Sequence, residues 1–395
     1  MKEVDVLVVG AGIHGAGVAQ AAAAAGYTVL VLEKNAVGSG TSSKSSKLIH
    51  GGLRYLESFQ FSLVRKSLKE RSILARIAPE LVKLQAFYIP VYKNTKRRPW
   101  QIRLGLTIYA FLGGLHKKNF FKLMNKNELA NTDGLNEKNL QKVYRYYDGQ
   151  TNDKKLTEAV IASAQQLGAK LSSPVAIKTI RRNEQGSIIE YCDGTEEKTI
   201  QAKVVVNATG PWVEELNELV TPPVHSLDVD LVQGTHIIID ASPPSGIYYL
   251  EASDQRAVFV MPYEVDGQLR TMVGTTEKLF KGKADEVKES KEEVQYLLAV
   301  YKSYFVKTKK IKILQQFVGL RVLPKNDSRM FSRPRDTVLH WAAPNLLTLY
   351  GGKLTAYRST ASLAIKKIQQ VLGRRQRIAY TEQLMLSNKK ITTDR

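Results

Sequence analysis

The chain has 395 residues, 43% hydrophobic and 8% aromatic, with 58 Lys and Arg against 37 Asp and Glu, a formal charge of +21 and a pI near 9.7. This composition excludes a disordered chain and allows two domains with sizeable cores, while the single Cys192 excludes an internal disulfide and a cysteine-based metal site. No apolar run reaches the ~18–20 residues that cross a bilayer, and no leader pattern precedes the first strand, so a cytoplasmic protein is expected.

Residues 4–9 (VDVLVV) read as a short buried parallel strand. Gly10-Ala11-Gly12-Ile13-His14-Gly15 then opens an alanine-rich helix to about Ala25, and a second strand, Thr28–Leu32, ends at Glu33, 23 residues after Gly10. Strand, glycines, helix, strand and acid in this order form a dinucleotide fingerprint, with pyrophosphate on the helix amides and ribose hydroxyls on the acid. The competing expectation is a tight strand–helix turn without a ligand. Gly38–Ser46 (GSGTSSKSS) follows, rich in small hydroxyl residues. Thr41, Ser42, Ser43, Ser46 and Lys47 are expected to meet the pyrophosphate and ring of a flavin, although Ser/Gly runs are usually flexible loops. Lys47–Glu57 (KLIHGGLRYLE) comes next: Gly51 and Gly52 permit close backbone approach, and Arg54 offers a rigid fork of donors to an anion.

Thr157–Leu167 reads as a helix, and Gly168–Ile180 as strands reaching the adenine side, with Val175 as a cofactor contact. Val204–Val206 reads as a buried strand that ends at Asn207-Ala208-Thr209-Gly210, where Thr209 and Gly210 approach the cofactor again. His236–Ile239, Gly246–Glu251, Ala257–Tyr263 and Leu269–Thr275 are β-rich runs between Pro, Gly and Asp turns, hence a mostly antiparallel sheet. Asp285–Phe305 has the apolar spacing of an amphipathic helix, Gly351-Gly352-Lys353-Leu354-Thr355 opens the last helix, and the tail after Gly373 is basic and loosely ordered. The expected class is α/β plus α+β. A discontinuous Rossmann-like cofactor domain comprises 1–85, 148–222 and 326–380, a β-sheet substrate domain 86–147 and 223–325, and a basic tail 381–395.

The positive charge is clustered. No acid occurs from Leu81 to Asn127, which holds Lys83, Lys93, Lys96, Arg97, Arg98, Arg103, Lys117, Lys118, Lys122 and Lys126. Residues 294–326 and 337–381 also lack acids, and the former holds Lys307, Lys309, Lys310 and Lys312. Such asymmetry implies an anionic partner. Trp100, Ile102, Leu104, Leu106, Ile108, Tyr109, Phe111, Leu112 and Leu115 lie between basic flanks, a pattern that favours a membrane surface over nucleic acid. The competing expectation for this segment is a buried core helix.

TSSKSSKLIHGGLRYLE resembles the signature of FAD-dependent glycerol-3-phosphate dehydrogenases, within the D-amino-acid-oxidase-like flavoproteins. The resemblance continues through Tyr147–Asp153, Asn207–Trp212, Gly234-Thr235-His236, Gly274-Thr275-Thr276, Gly319-Leu320-Arg321, Ser332-Arg333 and Gly351–Arg358. Three departures stand out: Glu277 where the family has Asp, Val318–Leu323 (VGLRVL) for the usual SGVRPL, and no further helical domain before Arg395.

The resemblance implies oxidation of sn-glycerol 3-phosphate to glycerone phosphate, with electrons passed to a membrane quinone by a protein at the cytoplasmic membrane surface. It assigns the phosphate to Arg54, Arg333 and Lys353, with Tyr55 alongside and Arg321 nearby. His236 is favoured as proton acceptor, with His50 beside the flavin ring, because a histidine titrates near working pH. Gly352, Lys353, Leu354 and Thr355 would stabilise charge developing on the reduced ring. FAD is expected to be non-covalent, no metal is expected, and the oligomeric state is left open. The alternatives are a flavin enzyme of the same fold acting on another anionic hydroxy acid or amino acid, including an oxidase, and a non-catalytic nucleotide- or nucleic-acid-binding protein.

Overall fold

The computed structural model describes residues 2–114, 119–129, 133–305, 311–325 and 336–387. Leu115, Lys117, Lys118, Lys307, Lys309, Lys310, Arg333, the side chain of Lys126 and the end of the basic tail lie outside them.

The strand Lys2–Val9 pairs in parallel with Val29–Leu32 on one side and Glu196–Asn207 on the other. Val6–Val9 are buried on both faces, which is why this strand reads as a continuous apolar run and not an alternating one. Lys170–Ser172 and Leu346–Tyr350 extend the parallel part, and an antiparallel ribbon of Val175–Asn183, Gly186–Asp193 and Glu196–Asn207 joins it. Three helices, Ile13–Ala24, Asp153–Gln166 and Tyr357–Leu372, pack over this sheet in one core. The Gly17 position lets the first and last cross closely, since a Cβ there would lie 2.7 Å from the Tyr357 ring.

A second sheet of ten strands is antiparallel except where Ile247–Glu251 meets Val82–Tyr92. Side chains alternate across it as the pleat requires. Ile237, Ile239, Val258 and Val260 join the core under helix Lys291–Tyr304, whereas Ile238, Met261, Phe87 and Ile89 join the core under helices Phe61–Ile77 and Pro99–Leu112. The four β-rich runs expected from sequence are all strands of this sheet.

Several expectations are corrected locally. The helix placed over Asp285–Phe305 is a short turn, Ala284–Glu286, followed by Lys291–Tyr304; Ser290 caps the latter by accepting from the Glu293 amide. The last helix begins only at Tyr357, after a 3-10 turn, because Gly351 and Gly352 have φ of +68° and +110° and cannot continue a helix. Residues 374–387 run as a strap: Ile378 N donates to Ala24 O (2.8 Å), and Leu386 N to Ile77 O (2.7 Å). Its polarity suggested looseness, but backbone pairing with two helix ends holds it.

The segment between basic flanks forms a helix that is core on one face and exposed on the other. Pro99–Leu112 buries Ile102, Leu106, Tyr109 and Ala110 and turns Trp100 (65% exposed), Leu104 and Phe111 (68%) outward. Arg97 is not part of a free basic face, because it is held between Glu57 and Glu251.

Candidate active site

A cleft of about 730 Å³ lies between the two sheets, lined from both. At one end the chain turns sharply from strand to helix. Gly10 has φ +100°, and a Cβ there would lie 2.8 Å from Ala208 O. Gly15 does not line the cleft; a Cβ on it would lie 1.9 Å from Gly10 O, so its role is to let the helix start against the strand. Glu33 accepts hydrogen bonds from the amides of Ala11 (2.6 Å) and Asn35 (2.8 Å), which fixes the acid at the cleft wall, and Ser42 Oγ accepts from Ile13 N (2.9 Å). Gly12, Thr41, Val175, Thr209 and Gly210 complete this end. Lys34, Trp212 and Asp285, which sequence reasoning did not single out, close the wall through Lys34–Asp285 (2.8 Å) and Trp212 Nε1–Asp285 (2.9 Å).

The other end gathers His50, Tyr55, His236, Arg321, Gly352, Lys353, Leu354 and Thr355, residues spread over 300 positions of sequence. Thr355 Oγ1 accepts from His50 N (3.2 Å), and the Lys353 ammonium sits 3.6 Å from the centroid of the Tyr55 ring. Arg321 donates to Glu277 (2.8 Å) and to Thr276 O (3.0 Å), so the Glu277 departure serves to orient this guanidinium. His236 stacks on Phe317 with ring centroids 4.9 Å apart, and its Nε2 lies 3.1 Å from Ser46 Oγ. The tautomer in which Nε2–H donates to Ser46 leaves Nδ1 as the acceptor, and Nδ1 has no hydrogen-bond partner among the described residues. Burial, then the cations of Lys47 and Arg321, push the His236 pKa down to about 3, so the imidazole is neutral at working pH.

His14 was missed as a site residue. It occupies a variable position of the fingerprint, lines the cleft beside Gly352, and is partly buried, with both ring nitrogens shielded from solvent. Burial lowers its pKa to about 4 against a smaller raising effect of the Gly352 backbone, but neither ring nitrogen makes a hydrogen bond of ordinary geometry. Only its place within the fingerprint could have flagged it.

Other expected contacts fall elsewhere. Lys47 points away from the cleft to Asp153 (2.7 Å), because its backbone has φ +59° and swings the side chain behind the loop. Ser43 Oγ bonds back to the carbonyls of Ser39 and Gly40 within its own turn. Gly51 and Gly52 are packing glycines rather than cleft wall: a Cβ on Gly51 would meet the Tyr109 hydroxyl at 2.5 Å, and one on Gly52 the Tyr55 ring. Arg54 is half-buried near Tyr249 and off the cleft wall. Arg333 lies outside the described residues. Arg358, the last residue of the GGKLTAYR block, is structural and forms a buried pair with Glu70 (2.6 Å).

A crevice with glycines and a helix start at one end and an acid, Glu33, fixed at its wall suits a dinucleotide, and ring nitrogens without partners among the described residues line it further along. Residues 5–358 match the family described as FAD dependent oxidoreductase. The chain belongs to that family. Its cofactor is FAD, and it is an oxidoreductase of the glycerol-3-phosphate dehydrogenase kind.

The chain is 34% identical over 377 residues to D-erythritol 1-phosphate dehydrogenase of Brucella abortus (strain 2308), covering 93% of this chain and 74% of that protein. It is 33% identical over 388 residues to aerobic glycerol-3-phosphate dehydrogenase of Escherichia coli K12, again covering 93% and 74%. The FAD complex of glycerol-3-phosphate dehydrogenase from Bacillus halodurans superposes with a TM-score of 0.77 at 26% identity, over 98% of this chain and 68% of that one. Glycine oxidase from Geobacillus kaustophilus, at 19% identity and a TM-score of 0.73 over 99% of this chain and 100% of that one, shares the fold.

Proposed function

We propose that this flavoprotein oxidises the secondary hydroxyl of sn-glycerol 3-phosphate to glycerone phosphate and passes the electrons to a membrane quinone. The observation that carries this reading is the neutral, buried His236 sharing one end of the cleft with Arg321 and Lys353. FAD, when bound, supplies the hydride acceptor. Gly10, Gly12, Glu33, Ser42, Thr209, Gly210 and the Gly352–Thr355 turn would hold it, without a covalent link.

The chain's own groups do the rest. His236 Nδ1 takes the hydroxyl proton, and Ser46 holds the opposite nitrogen so that the lone pair stays on Nδ1. Arg321, already oriented by Glu277, and Lys353 draw in the phosphate together with Arg333, and the Tyr55 ring positions the Lys353 ammonium. His50, anchored through its amide to Thr355, stands beside the reacting centre as the second imidazole.

Membrane contact rests on helix Pro99–Leu112, where Trp100, Leu104 and Phe111 face outward next to exposed Lys93, Lys96, Arg98 and Arg103. No described helix is long and apolar enough to cross a membrane, so attachment would be peripheral, at the cytoplasmic face.

The similarity to the Brucella enzyme supports a second reading, oxidation of D-erythritol 1-phosphate, with the same phosphate clamp and one more hydroxymethylene. The test is anaerobic mixing of the FAD-loaded protein with glycerol 3-phosphate, D-erythritol 1-phosphate, glycerol and amino acids, followed by flavin absorbance. Bleaching by glycerol 3-phosphate and not by glycerol is expected. Faster bleaching by the erythritol ester moves the assignment to the second reading, and equal bleaching by glycerol overturns the phosphate clamp. His236→Asn should slow bleaching on the order of 10²-fold or more.

A further inference from the structure

Behind His236, facing away from the cleft, lies an ion pair that nothing in the chemistry above uses. Lys47 and Asp153 are 2% and 0% exposed, with Nζ 2.7 Å from Oδ1. Buried pairs of this kind are poor stabilisers compared with apolar replacements, so a buried pair beside a reacting group asks for another role. Lys47 also adopts φ +59°, a left-handed conformation disfavoured for any residue with a Cβ.

Its partners tie it to the imidazole by two routes. Asp153 Oδ2 accepts from both the amide (3.0 Å) and the hydroxyl (2.7 Å) of Ser45, whose neighbour Ser46 contacts His236 Nε2. The Lys47 ammonium lies 5.2 Å from the centroid of Phe317, the ring on which His236 stacks, and it donates to Ser43 O at the start of the same loop.

We propose that the Lys47–Asp153 pair is a positioning unit for the proton acceptor: it clamps the Ser43–Ser46 turn so that Ser46 meets His236 Nε2, and it keeps a fixed cation behind the imidazole. The inference rests on His236 being that acceptor. The cations acting on His236 are Lys47 and Arg321, each paired with its own carboxylate, Asp153 and Glu277, and both cations favour the neutral imidazole. Burial alone pulls the Lys47 ammonium toward neutrality, and the charge and hydrogen bond of Asp153 hold its proton in place. The pair therefore works as one unit, and loss of either member removes the cation.

The test is the pH profile of anaerobic flavin reduction between pH 5 and 9 in the holoenzyme, for wild type, K47M, K47R, D153N, the K47M/D153N double variant and H236N. Wild type should be level on the acid side. K47M and K47M/D153N should show an acid limb at higher pH than wild type, because one of the two cations that depress the His236 pKa is gone; burial, the larger cause, and Arg321 remain, so the limb stays below the ordinary histidine value of 6.5. K47R should restore the level profile, and D153N should resemble K47M. The double variant leaves no unpaired buried charge, so it reports even if K47M folds poorly. Acid limbs absent from both K47M and the double variant overturn the inference. If H236N instead retains wild-type reduction, the assignment of His236 as acceptor is what fails.

Discussion

Replacing His14 with asparagine removes an imidazole that the fold holds neutral with its ring nitrogens shielded from solvent, and the consequence should appear as a change in how stability depends on pH. The folded-state pKa of His14 is about 4, against an ordinary value of 6.5, with burial as the main cause. Between those values the unfolded chain binds a proton that the folded one refuses, so stability is fully present above pH 6.5 and is lost as pH falls toward 4. At pH 5, some 1.5 units below the unfolded value, the loss from this one residue is about 2 kcal/mol, at ~1.4 kcal/mol per unit. His236, with a folded pKa of about 3 and the same starting value, contributes a similar loss, so the two together weaken the protein by about 4 kcal/mol between pH 7.5 and pH 5. The assay is urea denaturation at both pH values, in the presence of excess FAD, for wild type and H14N. The variant starts from its own stability at pH 7.5, but its loss on acidification should be smaller than wild type's by about 2 kcal/mol. Parallel losses in the two proteins would show that His14 titrates normally and is not buried in the cleft.

Gly15→Ala should give a colourless protein with little bound FAD, because its methyl group would sit 1.9 Å from Gly10 O and force the helix start off the strand; the ratio of flavin to protein absorbance reads this. Arg358→Met should destabilise by ~3–5 kcal/mol by leaving Glu70 buried and unpaired, whereas Glu382→Gln, at the exposed side of the same arginine, should cost less than ~1 kcal/mol, both by denaturant midpoint. Co-sedimentation with anionic vesicles should weaken with salt and with charge reversal at Arg98 and Arg103. Trp100→Ser with Phe111→Ser should remove the salt-resistant part; protein that stays in the supernatant at low salt refutes membrane contact.

Local sequence determined the dinucleotide end of this protein. Glycine spacing, the apolar run at Val6–Val9 and the acid at Glu33 are short-range features, and the backbone geometry they require is built within about thirty residues. The strands of the second sheet were legible for the same reason, through alternation between turn residues. Family blocks named the residues at the His236 end of the cleft, but not what each one does. Lys47 and Lys353 both stand in basic, glycine-flanked motifs. One is turned by a left-handed backbone toward Asp153, more than a hundred positions away, and the other lies over Tyr55 in the cleft. Arg321 and Arg358 likewise differ in the carboxylate each one finds, Glu277 behind the cleft-lining Arg321 or Glu70 in the core. Burial, partner charge and side-chain direction arise from long-range packing, so the tertiary structure alone decided which cations line the cleft and that His236 and His14 are neutral.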